Sequence, residues 1–134
     1  MAGEKDLATL LSTMDPEVHD GEYVFVTVPD GQQPDGVHPV VTVAEREGLT
    51  LVLPRAEADG HGLPYEYVAG WLTLRVHSAL DAVGLTAAVA TRLAGAGISC
   101  NVVAGYFHDH LFVPHADASR AAGLLMTEPR DAGA

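Results

Sequence analysis

Basic residues are scarce in this sequence. It has 7 lysine and arginine residues against 18 aspartate and glutamate residues, which gives a formal net charge of -11 at pH 7. A nucleic-acid-binding domain needs a basic stripe to meet the phosphate backbone, and no such stripe is visible. We therefore do not expect nucleic acid among the partners.

Cysteine and long apolar runs are also missing. Cys100 is the single cysteine, which excludes an internal disulfide framework and is typical of a reducing compartment. The N-terminal stretch MAGEKDLATLLSTMDPE carries charges within its short apolar segment. We predict neither a signal peptide nor a membrane-spanning helix, and we expect a cytoplasmic location without membrane partners.

Sequence motifs for catalysis are absent as well. No serine lies in a nucleophile elbow, and no phosphate-binding loop or dinucleotide fingerprint occurs, because Gly95 and Gly97 follow a predicted helix instead of preceding one. Cys100 lies in a predicted apolar strand, which favours a buried, inert thiol over an activated one. We expect no enzymatic activity, no cofactor and no catalytic residues.

The composition that is present is that of a folded protein. The chain of 134 residues is 48% hydrophobic and 19% charged, which is typical of a globular domain of ordinary size or of two small subdomains. The first half predicts a helix, three strands and two segments of loop composition. The helix is Asp6–Met14 with Asp6 as N-cap, the strands are Tyr23–Val28, Val40–Val43 and Leu49–Leu53, and the loop-like segments are Asp30–His38 and Pro54–Pro64.

The second half predicts the order strand, helix, strand, strand, helix. These elements are a strand at Tyr67–His77, a helix at Leu80–Ala96, a strand at Ile98–Ala104, a turn at Gly105–Phe107, a return strand around Leu111–Val113 and a helix at Asp117–Met126. The apolar faces of the helices are Leu85, Ala88, Val89 and Leu93 in one, and Ala118, Ala121, Ala122 and Leu125 in the other. This order predicts an α+β sandwich with an antiparallel sheet and helices on one face.

Short motifs of the second half resemble a known family in their order and spacing. They are a Trp-led strand (Trp71 to Val76), Ala82-Val83-Gly84-Leu85, Leu93-Ala94, Gly97-Ile98-Ser99 and Asp109-His110-Leu111-Phe112-Val113-Pro114. Upstream, Glu47-Gly48-Leu49-Thr50-Leu51-Val52-Leu53 resembles a strand that closes a first module. Together these motifs resemble the ACT domain, and more closely the paired ACT-like modules of stand-alone bacterial proteins and of animal arginine sensors.

The resemblance implies a ferredoxin-like βαββα fold in two ACT-like subdomains. It predicts an incomplete N-terminal subdomain at 1–65, an ACT domain at 66–128 and a disordered tail at 129–134. It also implies an effector site between units, a homodimer and no chemistry of its own. Ala79 and Ala82 depart from the arginine sensors, so the contacts to an arginine side chain are not carried over.

Two places carry the predicted ligand site. The segment from Ser78 to Gly84 joins a strand to a helix, where free N–H groups of Ala82, Val83 and Gly84 would favour a carboxylate; alternatively, Ser78 is an N-cap and Gly84 a packing glycine. Asp109 could hold an ammonium group, as the resemblance implies, or could cap the preceding turn. The predicted ligand-binding residues are Ser78, Ala79, Leu80, Ala82, Val83, Gly84, Leu85, Asn101, Gly105, Tyr106 and Asp109.

His108 and His110 flank Asp109 and raise a metal hypothesis. In a strand, the two histidines would share one face and Asp109 would lie on the other. A zinc site needs a third or fourth ligand, and no other histidine has suitable spacing, so we favour interface histidines with pH-dependent charge and predict no metal. Trp71 is predicted to pack in the core, with the other face of its strand available to a partner.

The sequence thus favours a regulatory protein that binds a small amino acid or related metabolite and couples binding to an oligomer or partner contact. One alternative is a structural module that binds a protein partner and has lost the ligand. A small metal-dependent enzyme that uses His108 and His110 is the other.

Overall fold

We analysed a computed structural model of the chain, which describes residues 6–126. The helices are α1 Leu7–Ser12, α2 Arg55–Gly60, α3 Leu85–Gly95 and α4 Ala118–Leu125. The strands are β1 Pro16–Val18, β2 Tyr23–Val28, β3 Val41–Glu45, β4 Gly48–Pro54, β5 Val68–Leu74, β6 Asn101–Ala104 and β7 Asp109–Pro114. Among the described residues, no helix is both long enough and apolar enough to cross a membrane.

The chain folds into two compact units. The first unit is Asp20–Ala69, and the second unit comprises the described parts of Met1–His19 and Gly70–Ala134. Residues 6–19 therefore share a unit with the second half of the chain, although the sequence analysis grouped them with the N-terminal subdomain. The predicted tail at 129–134 lies outside the described residues.

In the first unit, β4 pairs antiparallel with both β2 and β3. Tyr23 lies opposite Pro54 in one pair and Val41 lies opposite Val52 in the other. The predicted strands are thus confirmed, and the Arg46-Glu47 turn closes the β3–β4 hairpin. The buried core of this unit consists of Val24, Val26, Val28, Val37, Leu51, Leu53 and Ala58.

The first unit also contains a helix that the sequence analysis missed. Pro54–Pro64 has the composition of a loop, yet Arg55–Gly60 is helical and Ala58 is fully buried. The first helical residues, Arg-Ala-Glu-Ala, have favourable helix propensity. The turn formers of this segment, Asp59 and Gly60, lie in its last turn, so their signal marks the end of a helix and not a continuous loop.

In the second unit, β5 neighbours β1 and β7, and β6 pairs with β7 at the edge of the sheet. Leu72 and Leu74 of β5 lie in one core with Leu111 and Val113 of β7. The helices α1, α3 and α4 pack on that same core through Leu10, Leu85, Val89, Leu93, Ala118, Ala121, Ala122 and Leu125. This unit confirms the predicted strand, helix, strand, strand, helix order with its helices on one face.

Element limits in the second unit differ from the predictions at several places. The strand predicted to reach His77 ends at Leu74. Helix α3 begins at Leu85 and not at Leu80, because Gly84 has a φ of 99° and precedes the helix as its N-cap. The predicted strand at Ile98–Ala104 begins only at Asn101, since Gly97, with a φ of 78°, and the buried Ile98 still close the end of α3.

Candidate functional site

A small cavity lies in the second unit between the start of α3 and the β6–β7 hairpin. Its volume is about 80 Å³. It is lined by Ser78, Ala79, Leu80, Ala82, Leu85, Thr86, Ala104 and Asp109. Among these lining residues Asp109 is the one with an acidic side chain, and the hydroxyls of Ser78 and Thr86 add further polar groups to an otherwise apolar set of side chains.

Asp109 is positioned by the β6–β7 hairpin. It begins β7, lies opposite Ala104, and is two residues before Leu111 of the core, so its side chain lies on the face of the sheet that the helices cover. The Ser78 hydroxyl donates to Oδ2 of Asp109 over 3.3 Å. Ser78 is 9% exposed, and its hydrogen bond orients the carboxylate beside the cavity.

One of the three predicted backbone N–H groups near the cavity is already used within a turn. The N–H of Ala82 donates to the carbonyl of Ala79 over 3.0 Å within a turn, so the prediction of a free Ala82 amide is wrong. The first helical residues are Leu85 and Thr86, and both line the cavity. Any attraction of the α3 N-terminus for an anion therefore arises at Leu85 and Thr86.

The structure distinguishes between the alternative roles predicted for Ser78 and Gly84. Ser78 is not the N-cap of α3, because Gly84 holds that position without a side-chain cap. Gly84 is a packing glycine, since a Cβ there would lie 3.1 Å from Cδ2 of Leu7. Its positive φ is a second reason for glycine at this position.

The structure brings together six of the predicted ligand residues. Ser78, Ala79, Leu80, Ala82, Leu85 and Asp109 line the cavity, whereas Val83, Gly84, Asn101, Gly105 and Tyr106 do not belong to its lining. The sequence analysis missed Thr86 and Ala104. Ala104 could have been found from the hairpin register opposite Asp109, and Thr86 from a correct start of α3.

The two histidines beside Asp109 have separate surroundings. His110 lies on the opposite face of β7, where its Nδ1 accepts from Nε1 of Trp71 over 3.1 Å. His108 precedes β7 in the turn, and its Nδ1 lies 3.4 Å from the carbonyl of Val76. Within residues 6–126, no group of three or more histidine, cysteine or acidic side chains is arranged to hold a metal ion.

Cys100 is half-buried immediately before β6. Burial raises the pKa of its thiol above the usual value, which disfavours the reactive thiolate. The environment of this cysteine therefore supports the predicted inert thiol, although the residue lies outside the strand to which the sequence analysis assigned it.

Family comparison identifies the chain. ACT-domain profiles match it twice, at residues 2–70 and at residues 66–126. The chain belongs to the ACT-domain family. The two ACT matches occur in tandem along the chain. They agree with the α+β, ferredoxin-like fold that the motifs around Trp71 and Asp109 implied.

Solved structures extend the comparison of this ACT-domain protein. A Vibrio cholerae protein of unknown function, described as a possible transport protein, is 49% identical, with 90% of this chain and 94% of that chain covered and a TM-score of 0.80. An Agrobacterium tumefaciens protein is 22% identical over 82% of this chain and 84% of that chain, with a TM-score of 0.62. The ligand-free regulatory subunit of aspartate kinase from Thermus thermophilus is 9% identical over 87% and 98%, with a TM-score of 0.59. No curated protein sequence matches the chain.

Proposed function

We propose that this ACT-domain protein is a non-enzymatic regulator that binds an amino acid with a small, uncharged side chain in the cavity beside Asp109. The observation that carries the proposal is the pairing of one oriented carboxylate with the start of a helix across a small cavity. ACT domains are regulatory modules that commonly bind amino acids, and the aspartate kinase regulatory subunit supplies the same fold.

The groups around the cavity suit a zwitterion. The Asp109 carboxylate can accept a charge-assisted hydrogen bond from an α-ammonium group. The backbone N–H groups at Leu85 and Thr86 and the hydroxyl of Thr86 can donate to an α-carboxylate, which the helix dipole also favours. These groups would bind the α-ammonium and α-carboxylate that all amino acids share. The remaining lining residues would contact the amino-acid side chain.

The remaining lining selects the side chain. Ala79, Ala82, Leu85 and Ala104 are apolar, and the volume of about 80 Å³ is far below that of pockets for drug-sized ligands. A cationic side chain such as that of arginine would need a second acidic partner, and these lining residues contain none besides Asp109. We therefore expect glycine, alanine, serine or a comparably small amino acid.

Regulation would follow from ordering the segments that border the cavity. Leu80 is 67% exposed and Tyr106 is 67% exposed, so the loop at 78–84 and the hairpin turn at 105–108 can change their contacts when a ligand binds. Among the described residues, β6 lies at the edge of its sheet, and its outer side suits pairing in a homodimer. Ligand binding would shift such an oligomer or partner contact by population shift.

Thermal unfolding against each of the twenty amino acids tests the proposal. A ligand present at 100 times its Kd stabilises the native state by about 2.7 kcal/mol, so the effective amino acid should raise the Tm by several degrees. Asp109→Asn should abolish that rise, and the matched control Asp35→Asn, at an exposed position in the first unit, should keep it. If no amino acid raises the Tm of the parent protein at millimolar concentration, the ligand-binding proposal is wrong.

A second candidate function is a protein-binding module without a small ligand. The observation that favours it is a group of large apolar side chains, Leu80, Val83, Tyr106 and Phe107, with exposures of 67%, 84%, 67% and 59%. A structure of the protein in complex with its partner distinguishes the two functions, since protein side chains in the cavity would favour this candidate and a bound amino acid would exclude it.

A further inference from the structure

A connected group of two histidines, a tryptophan and a threonine lies on the face of the second unit's sheet that the helices do not cover. We call His19, Trp71, Thr73 and His110 the His-Trp network. The His19 ring stacks on Trp71 with ring centroids 3.6 Å apart and planes 14° apart. Nε2 of His19 lies 2.7 Å from the Thr73 hydroxyl, which lies 3.0 Å from Nδ1 of His110. The network thereby joins β5 and β7 to His19, the residue that follows β1.

The chemistry of these atoms decides where the protons lie. An indole N–H can only donate, and Nε1 of Trp71 lies 3.1 Å from Nδ1 of His110, so that nitrogen must be an acceptor. His110 is then neutral with its proton on Nε2. The Thr73 hydroxyl can accept from Nε2–H of His19 and donate to the same Nδ1, which then shares its one lone pair between the Thr73 and Trp71 donors.

One added proton disrupts this arrangement. When Nδ1 of His110 takes a proton it becomes a donor, and it then faces the N–H of Trp71 and the O–H of Thr73. Thr73 is 5% exposed, so its hydroxyl must turn to accept from Nδ1 of His110 and donate to Nε2 of His19. The N–H of Trp71 then loses its acceptor at Nδ1. A buried donor without an acceptor is costly, and the strands joined by the network should separate more readily.

We propose that the His-Trp network is a pH-sensitive switch that holds the end of β1 against β5 while His110 is neutral and loosens it when His110 is protonated. The contact that the switch controls is a backbone hydrogen bond at the end of β1. The N–H of His19 donates to the carbonyl of Trp71 over 2.9 Å and continues the pairing of Pro16–Val18 with Leu72–Leu74. The His-Trp network lies on the face of β7 opposite the cavity, so the switch does not depend on an amino-acid ligand.

The groups that face His110 have mixed effects on its pKa. Burial is the main cause that lowers the pKa of His110, His108 and His19 lower it further, and Asp109 on its own strand raises it. Glu17 of β1 lies opposite Thr73 in the register and so belongs to the same face. Arg75, just beyond β5, donates to the Asp15 carboxylate over 2.9 Å.

Nuclear magnetic resonance of the histidine rings and of the Trp71 indole tests the switch. At pH 7.5 Nδ1 of His110 should be unprotonated. As the pH is lowered, the Nε1–H signal of Trp71, the sole tryptophan, should shift with the same midpoint as His110, and that midpoint should lie below the ordinary histidine pKa of 6.5. A His110 midpoint at or above 6.5, or an indole signal that does not respond, would overturn the proposal.

Hydrogen exchange on two variants separates a switch from a merely structural contact. Across the His110 titration, the protection factor of the His19 amide should fall on the order of tenfold in the parent protein. In His110→Asn the side-chain oxygen can replace Nδ1 as acceptor but cannot titrate, so protection should become independent of pH, whereas His38→Asn should behave like the parent. If His110→Asn does not fold, Thr73→Val should weaken protection at neutral pH. An unchanged pH response in His110→Asn, or unchanged protection at neutral pH in Thr73→Val, would contradict the switch.

Discussion

The two units follow the same strand order but connect their first two strands differently. In the first unit β2 pairs with β4, β3 pairs with β4, and α2 follows β4. In the second unit β5 neighbours β7, β6 pairs with β7, and α4 follows β7. The second unit connects β5 to β6 through α3, a helix of 11 residues, whereas the first unit connects β2 to β3 through the loop at 29–40.

The joint between the last strand and the last helix is repeated in both units. Leu53-Pro54-Arg55-Ala56-Glu57-Ala58 corresponds to Val113-Pro114-His115-Ala116-Asp117-Ala118. The two prolines have nearly the same backbone angles, φ -56° and ψ 136° for Pro54, and φ -52° and ψ 135° for Pro114. Ala58 and Ala118 are both buried. A short local pattern therefore specifies this joint, because proline fixes the turn and a small residue lets the helix approach its sheet.

The missing helix explains why the candidate site belongs to one unit. The cavity beside Asp109 requires the start of α3, and the loop of the first unit offers no helix terminus at that point. This loop instead supplies Val37 to the core, and Glu57 accepts from the backbone N–H of His38 over 2.7 Å and lies 2.8 Å from its Nδ1. We therefore expect ligand binding to depend on the second unit.

The largest expected effect concerns α3 itself. Leu93 is fully buried between α3 and the sheet, so Leu93→Ala should lower the free energy of unfolding by about 2–5 kcal/mol through lost burial and a residual cavity. Val37→Ala in the loop of the first unit removes fewer carbons and should cost less. Urea denaturation measures both changes, and Val83→Ala, at an 84% exposed position, is the control. An equal or larger loss in Val37→Ala would show that the loop anchors its unit as strongly as the helix does.

The next effect tests how tightly the second unit packs at its strand-to-helix joint. A Cβ on Gly70 would lie 2.7 Å from Cβ of Ala118, so Gly70→Ala should cost about 1–3 kcal/mol through overpacking. A Cβ on Gly95, within α3, meets no atom within 4 Å, and Gly95→Ala should stabilise by up to about 1 kcal/mol through helix propensity. Calorimetric Tm values give the sign of each change. A neutral Gly70→Ala would mean that the joint accommodates a methyl group.

Much of this fold was predictable because local signals and burial agree. The Asp6 N-cap is confirmed by its side chain accepting from the N–H of Thr9, and the inward positions of α4, from Ala118 to Leu125, are all buried. Helix α2 was not predicted, since its last turn contains Asp59 and Gly60 and resembles a loop. The start of α3 was misplaced because Leu80–Gly84 continues the apolar pattern, and the positive φ of Gly84 is not visible in that pattern.

The candidate site was predictable only in part. Family resemblance and strand alternation located Asp109, and the segment from Ser78 to Leu85 followed from its position between a strand and a helix. The hydrogen bond between Ser78 and Asp109 spans 31 residues of sequence, so no local pattern indicates it. The His-Trp network was missed for the same reason, since Thr73 and His110 are 37 residues apart and are brought together by strand pairing.

The smallest expected effects concern pH, and they separate the two units. The pKa of His110 is lowered from its ordinary value of 6.5, chiefly by burial. The unfolded chain then binds more protons in the weakly acidic range, so the second unit should lose stability as pH falls from 6.5 to the lowered value and should level off below it. The pKa of Glu57 in the first unit is lowered from 4.5, chiefly by the backbone hydrogen bond from His38. Its contribution should be complete above pH 4.5 and lost as pH falls through the lowered value.

Residue-resolved hydrogen exchange between pH 7.5 and pH 3.5, corrected for intrinsic rates, measures this order. Amides of β1 and β5 in the second unit should lose protection first, and amides around His38 should lose it only in more acidic solution. His110→Asn should remove the first step alone, and Glu57→Gln should remove the second step alone, because each variant replaces one titrating group. Loss of both steps in a single variant would show that the two units respond to acid as one cooperative structure, and the distinction between their histidine and carboxylate contacts would then have no energetic consequence.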